Sequence, residues 1–330
     1  MKKLGLRTFS IFIFFLLLNN ASIKSQFKKE KIHFESANPF SLSHIIKELN
    51  KLDKQEVFGQ LTIPLDSIEA NKKYPLIIGI AGSRGWKKHH LEYINMYQKN
   101  GFATFELHSF KSRDISSTVG SQVEVTTAAI ILDAYRALEK LSDHPNIDSE
   151  RVGITGWSLG GGVALFSGWL PLIEKINPIN KFAAHLSIYP PCIAQPESPE
   201  FTQSPMHILI GELDDWVPAR ACEELVRDAQ NFGSTIGITL YKDSHHSFDR
   251  LSPISIKEKA YKTVDCRFKI RDDGAVLMGF MNIAMTTPFR QKIGLGLCAK
   301  RGPTMGGNPE ARNSSFQFTR KFMTQHLLLK

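Results

Sequence analysis

The sequence predicts an α/β protein with a mostly parallel central sheet and helices on both faces. Three observations carry this reading. Short apolar runs alternate with helical patterns along residues 55–241. One run, YPLIIGIA over residues 74–81, is apolar throughout, as a strand buried on both faces requires. Several runs end at glycine-rich or polar turns, and strand–helix–strand repetition places successive strands parallel. The composition, 42% hydrophobic and 22% charged over 330 residues, is ordinary for a globular protein and excludes disorder and fibre.

Each element has a local cause. QEVFGQLTIP (55–64) alternates enough for an early strand, and YPLIIGIA follows, closed by Gly82-Ser83-Arg84-Gly85. Residues 89–100 form a helix stopped at Asn100-Gly101, and 102–107 return as a strand. Residues 111–122 are polar and Ser-rich, hence a loop. Ala128, Ile131, Leu132, Tyr135 and Leu138 share one helical face. RVGIT (151–155) is a strand, followed by a Gly-rich turn and an apolar helix. Further strands are expected at 182–189, 206–210 (MHILI) and 236–241 (IGITLY), with a helix at 222–231. After Tyr241 the pattern changes. Segments 266–270 and 275–280 flank Arg271-Asp272-Asp273-Gly274, a hairpin signal. Residues 251–307 read as an insertion on one main domain spanning 26–330. Asn308-Pro309 caps a final helix over 308–328.

The first 25 residues read as a secretory signal. Lys2, Lys3 and Arg7 precede a short apolar core, FSIFIFFLLL, and small polar residues follow, with Ser25 a cleavage position. The core is too short to span a bilayer comfortably. Its removal predicts an exported protein, periplasmic or secreted, without stable membrane insertion. The formal net charge is +9, from 41 basic and 32 acidic residues; losing Lys2, Lys3, Arg7 and Lys24 leaves 37 against 32, or +5. That is too mild to argue for a nucleic-acid partner. Cys192, Cys222, Cys266 and Cys298 show no C-x-x-C spacing. Pairing Cys192 with Cys222 and Cys266 with Cys298 closes two local loops; four buried free thiols are the other reading.

The chemistry centres on Gly156-Trp157-Ser158-Leu159-Gly160, a G-x-S-x-G between strand RVGIT and an apolar helix. A sharp strand-to-helix turn lifts a Ser oxygen above the sheet, its glycines prevent clashes, and the next backbone N–H faces a developing oxyanion. An activated Ser needs a base, and the base an orienting acid, in the order Ser, acid, His. Asp214 follows MHILI and is the chosen acid, with Asp215 and Glu212 as rivals. His246 follows IGITLY and is the chosen base, with His245 as rival. The second oxyanion N–H is expected from Ser83, or else Arg84. Arg84 and Arg113 are candidates for an anionic substrate group, and Trp86, Trp157 and Trp216 for pocket walls. The pairs His89/His90 and His245/His246 lack metal-binding spacing, so no metal is expected.

These residues resemble the α/β-hydrolases of the dienelactone hydrolase-like group. The resemblance rests on IDSERVGITGWSLGGGVAL, GELDDWVPA and HHSFD and covers about residues 55–250. The group's name-giving enzymes use Cys where Ser158 stands. The tail CAKRGPTMGGNPEAR resembles exported members with an extra Cys-bearing segment. In these, YPPC and the Cys after the acid loop are partners, which implies a Cys192–Cys222 bridge holding Asp214. The resemblance implies an α/β-hydrolase fold, a small-molecule ester or lactone substrate, acyl transfer and no cofactor. The alternatives are a prolyl-oligopeptidase-like serine peptidase, for which the chain lacks propeller repeats, and an inactive hydrolase fold that binds a partner. Oligomeric state has no sequence signal.

Overall fold

A computed structural model of the chain describes residues 27–65, 72–176, 180–279 and 281–329. The expected leader, residues 1–25, lies outside the described residues. The main sheet contains β1 (Phe27–Ala37), β2 (Lys54–Pro64), β3 (Tyr74–Ile80), β4 (Ala103–Leu107), β5 (Ile147–Trp157) and β6 (Ala184–Ile188). A short strand, β7 (Ala194–Pro196), stands outside it, and β8 (Met206–Gly211) and β9 (Ile236–Tyr241) complete it. Its strand order is β1-β2-β4-β3-β5-β6-β8-β9. The β1–β2 and β2–β4 pairs are antiparallel and all later pairs parallel.

The sheet forms as its apolar runs dictate. All seven residues of β3 are buried, because helices cover both of its faces. Helix α1 (Leu42–Glu48) precedes β2, and α2 (Lys88–Lys99) follows β3. Helix α3 (Thr127–Ser142) buries the stripe read from its sequence, with Thr126 accepting from the Ala129 N–H as its cap. Helix α4 (Leu159–Phe166) springs from the end of β5, and α5 (Leu170–Ile176) follows it. Helix α6 (Ala219–Asn231) joins β8 to β9. Helices α3 and α4 pack against each other.

β1 and α1 have no counterpart among the sequence expectations. The β1 sequence, FKKEKIHFESA, is too charged to show an apolar period. It is an edge strand, stabilised by pairing along its whole length with β2, and its charges discourage edge-to-edge association.

Residues 251–307 build a different kind of structure. β10 (Ser255–Ile256) pairs with β15 (Thr304–Met305), and β11 (Tyr261–Lys262) with β14 (Lys300–Arg301). The expected hairpin is present as β12 (Phe268–Ile270) and β13 (Val276–Leu277), and β12 also lies parallel to β7. Helix α7 (Pro288–Gly296) completes the segment. Cys266, Phe268, Met278 and Met285 form its own small buried cluster. Both expected disulfides form, Cys192–Cys222 and Cys266–Cys298, and no described cysteine is free. Helix α8 (Pro309–Met323) starts where expected. The Asn308 side chain accepts from the Glu310 and Ala311 N–H groups, and α8 packs against α2. Among the described residues, no helix is long and apolar enough to cross a membrane.

Candidate active site

The site assembles at the carboxyl ends of β5, β8 and β9, where an open parallel sheet gathers its functional loops. β5 ends at Trp157 and α4 begins at Leu159, so Ser158 must reverse the chain alone. Its backbone stands at φ 56° and ψ −116°, a conformation costing about 1–3 kcal/mol for a residue with a Cβ. The glycines around it allow the turn. A Cβ on Gly156 would lie 2.0 Å from the Gly160 carbonyl oxygen, and one on Gly160 would lie 2.2 Å from that of Ile80. The Ser158 N–H donates to the Ile188 carbonyl at 2.9 Å, which fixes the bend to β6.

His246 and Asp214 meet this serine. His246 Nε2 lies 3.0 Å from Ser158 Oγ, and His246 Nδ1 lies 2.7 Å from Asp214 Oδ2. The other carboxylate oxygen of Asp214 accepts from the Trp216 and Val217 N–H groups, both at 3.0 Å. Asp214 and His246 are buried, 4% and 3% exposed, so water does not compete for these bonds. The His246 ring packs near Tyr189 and Trp216, at 4.8 Å and 5.0 Å between centroids.

The rival residues are engaged elsewhere. Asp215 receives Lys262 Nζ at 2.5 Å and the Thr304 N–H at 2.7 Å, tying the acid loop to the 251–307 segment. Glu212 accepts from the Asp243 N–H. His245 Nδ1 lies 3.2 Å from the Leu213 carbonyl.

Leu159 and Ser83 line the cavity beside Ser158. Leu159 opens α4, so its N–H has no acceptor within the helix. Ser83 lies in the turn after β3. Its carbonyl holds the Thr118 N–H at 3.0 Å, and a Gly85 N–H to Gly82 carbonyl bond of 2.9 Å closes the turn.

That cavity has a volume of about 260 Å³ and runs from Ser158 under the 251–307 segment. Phe40, Phe166, Ile193, Trp216, Phe268 and Leu295 line much of it, and no acidic, basic or histidine side chain among the described residues does. Trp216 lines this cavity. Trp86 and Trp157 do not. Trp157 is fully buried and stacks with His90 at 4.8 Å, and Trp86 donates through Nε1 to the Leu107 carbonyl. Both serve the packing of α2 on the sheet.

Arg113 is also corrected. All five of its N–H donors are engaged: by Asn38 Oδ1, the Ser109 and Ala37 carbonyls, and both carboxylate oxygens of fully buried Asp133. It has no donor left for a substrate and joins the 111–113 turn to α3. Arg84 is exposed at the rim of a second, smaller pocket that also reaches Ser158 and His246.

Arg250 and Tyr189 line the smaller pocket and escaped sequence reasoning. The Tyr189 hydroxyl donates to Asp249 at 2.9 Å; burial lifts the Asp249 carboxyl to about 6 and raises Tyr189 as well. Asp249 and Arg250 closely follow His246, the signal that could have found them. His89 and His90 sit behind the site with ring centroids 4.0 Å apart, and burial pushes both well below the usual imidazole range.

The eight-stranded sheet, with a strand–serine–helix elbow after its fifth strand, defines an α/β-hydrolase fold. Residues 69–269, more than half of the chain, match the dienelactone hydrolase family, and the chain belongs to that family. It is similar to a Bradyrhizobium protein named "Probable 2-oxo-3-(5-oxofuran-2-ylidene)propanoate lactonase", with 25% identity over 161 residues. That match covers 46% of this chain and 63% of the relative, so less than two thirds of the relative's length is represented. Among solved structures, "m3DLH" aligns over 92% of this chain and 99% of its own, with 14% identity and a TM-score of 0.56. The Pyrococcus furiosus esterase Pf2001 aligns over 67% of this chain and 85% of its own, at 15% identity and a TM-score of 0.46.

Proposed function

We propose that this protein is an exported serine hydrolase that cleaves esters or lactones of uncharged, apolar acyl groups. The observation that carries the reading is the chain of hydrogen bonds Ser158–His246–Asp214, opening onto a 260 Å³ cavity with no charged wall. His246 takes the Ser158 proton as Ser158 Oγ attacks the carbonyl carbon. Asp214 accepts the His246 Nδ1 proton in a hydrogen bond and steadies the charged ring that results. The Ser83 and Leu159 N–H groups receive the negative charge growing on the carbonyl oxygen. His246 returns the proton to the leaving oxygen, then activates water to release the acid and free Ser158. No step calls on a cofactor.

The uncharged walls favour apolar acyl groups because an ionised group there would be desolvated without a partner. An apolar cavity of about 150 Å³ can hold benzene, so 260 Å³ suits a medium-length acyl chain or an aryl-alkyl group. An anionic group, if the substrate carries one, belongs on the other side of Ser158, at the rim where Arg84 stands. The lactonase name of the Bradyrhizobium relative supports including lactones. Two disulfides support export, because such bonds persist in oxidising compartments.

The test is labelling by a fluorophosphonate probe, then a panel of neutral and acidic esters and lactones. Labelling of wild type but not Ser158→Ala, with turnover that rises from acetate to medium-chain neutral esters, is the expected result. Folded wild type that neither labels nor turns over any member would overturn the reading in favour of a binding protein.

A further inference from the structure

Helix α7 presents different side chains to the cavity and to the outside. Gln291 and Leu295, four residues apart, line the cavity, and Gln291 Nε2 also donates to the Gln122 carbonyl at 3.0 Å. The side facing away carries Phe289 and Ile293, continued by Leu297 at its C-cap. These are also spaced by four, and lie about 200° around the helix from the lining pair. Phe289 is 72% exposed, Ile293 42% and Leu297 64%, and the preceding loop adds Met281 at 71% and Ile283 at 39%. Scattered exposed leucines need no explanation; five large apolar side chains on one helix face and its adjoining loop do.

The charge of this region says what covers the face. Residues 278–307 contain Arg290, Lys292, Lys300 and Arg301 and no Asp or Glu. Lys300 is paired with Asp265, and Arg301 lies over the Tyr261 ring. Arg290 and Lys292 are exposed on α7 itself, beside the apolar stripe. Apolar side chains interleaved with basic ones on a surface helix form a face that settles into the headgroup region of an anionic bilayer. The helix is fixed for such a role. Gly294 packs against Met285, and the Cys266–Cys298 bridge holds the chain just after the helix ends.

We propose that the outer face of α7, with the loop at Met281 and Ile283, docks this protein on an anionic lipid surface. The wall of the acyl cavity then lies against the phase in which apolar esters dissolve. That last step rests on the hydrolase reading; the docking itself does not.

The experiment measures co-sedimentation with vesicles of phosphatidylcholine containing about one third phosphatidylglycerol, using Ser158→Ala protein so that turnover plays no part. Every variant is prepared with the same N-terminus, so any affinity of the leader cancels. The expected result is binding at least about tenfold stronger than to pure phosphatidylcholine, falling steeply with salt. Phe289→Ser/Ile293→Ser/Leu297→Ser should abolish it, and Arg290→Glu/Lys292→Glu should weaken it by about fivefold or more per charge. In a background with Ser158 intact, the triple-serine variant should hydrolyse a dissolved acetate ester at the wild-type rate, which also shows that it folds. Equal sedimentation of wild type and both variants would overturn the proposal. So would a concentration-dependent dimer that the triple-serine change disperses, since the face would then cover a second copy. Vesicle binding without any ester turnover by the Ser158 protein would instead break the hydrolase reading and leave docking intact.

Discussion

The carboxyl end of the sheet, which holds Ser158, and the 251–307 segment that walls the cavity are built by opposite means. The first is built on a sheet whose strand β3 is buried along its whole length, and the elbow between β5 and α4 leaves no room for a Cβ at Gly156 or Gly160. Ser158, His246 and Asp214 sit there within 3.0 Å of their hydrogen-bond partners. The second consists mainly of two- and three-residue strands around a small cluster and one disulfide. Catalytic geometry needs rigidity, and the deep sheet supplies it. Substrate fit tolerates variation, and a segment held by a few long-range links can change without disturbing the sheet. Asp215 joins the two regions through Lys262 and Thr304, beside Asp214.

The sharpest way to break this comparison is at the elbow. Ser158→Ala should lower ester turnover on the order of 10⁴-fold or more without lowering the melting temperature, because the strained backbone loses no packing. Asp214→Asn should cost a similar 10⁴-fold in kcat. Turnover within tenfold of wild type in either variant would show that these residues are not the reacting groups.

The two disulfides make the next test. They close loops of nearly equal length, with sequence separations of 30 and 32. The chain-entropy argument therefore assigns each about 3–4 kcal/mol. Their functional consequences should differ. Cys192→Ser/Cys222→Ser loosens the strand end after Tyr189 and the helix after the acid loop, and should lower kcat for every ester. Cys266→Ser/Cys298→Ser should leave kcat for an acetate ester within about threefold and raise KM for medium-chain esters. Equal losses of acetate turnover in both pairs would erase the distinction between the regions.

A smaller effect is expected at the cavity wall. Leu295→Arg puts a charge into an uncharged pocket and should raise KM for medium-chain esters about tenfold, or about 1.4 kcal/mol, sparing acetate. No change in chain-length preference would mean that the acyl group lies elsewhere.

The last effect is one of pH on the buried sheet. Burial holds His185 down at about 4, against an ordinary 6.5, although its bond to the Ala164 carbonyl pulls the other way. The unfolded chain takes up that proton near 6.5 and the folded chain only near 4. The stability present above pH 6.5 is therefore lost as pH falls through this window, by up to about 1.4 kcal/mol per pH unit. The urea midpoint should fall between pH 6.5 and 4, and His185→Gln should flatten the slope. An unchanged slope would place the acid sensitivity in other groups.

The parallel core and the elbow were legible in the sequence, and so was the chain order of the candidate residues Ser158, Asp214 and His246, which the fold brings within hydrogen-bond reach. They depend on local period, on turn chemistry and on a fixed order of strands, all written along the chain. β1 was not legible, because its apolar period is hidden by charge and it becomes a strand by pairing with β2. Arg113 and Trp157 were misread for a related reason. Trp157 ends β5 and Arg113 lies in the loop after β4, but only the folded chain brings Asp133 to the arginine and α2 to the tryptophan.

The sequence by itself determined the candidate residues of the site and most of the parallel strands, because strand burial, helix caps and glycine turns act over a few neighbouring residues. Tertiary structure alone decided that Lys262 and Thr304 take up Asp215, that Asp133 takes up Arg113, and that α7 closes an uncharged cavity while baring an apolar outer face. Those outcomes depend on contacts between segments far apart in the chain, and no local pattern records which partner each side chain will meet.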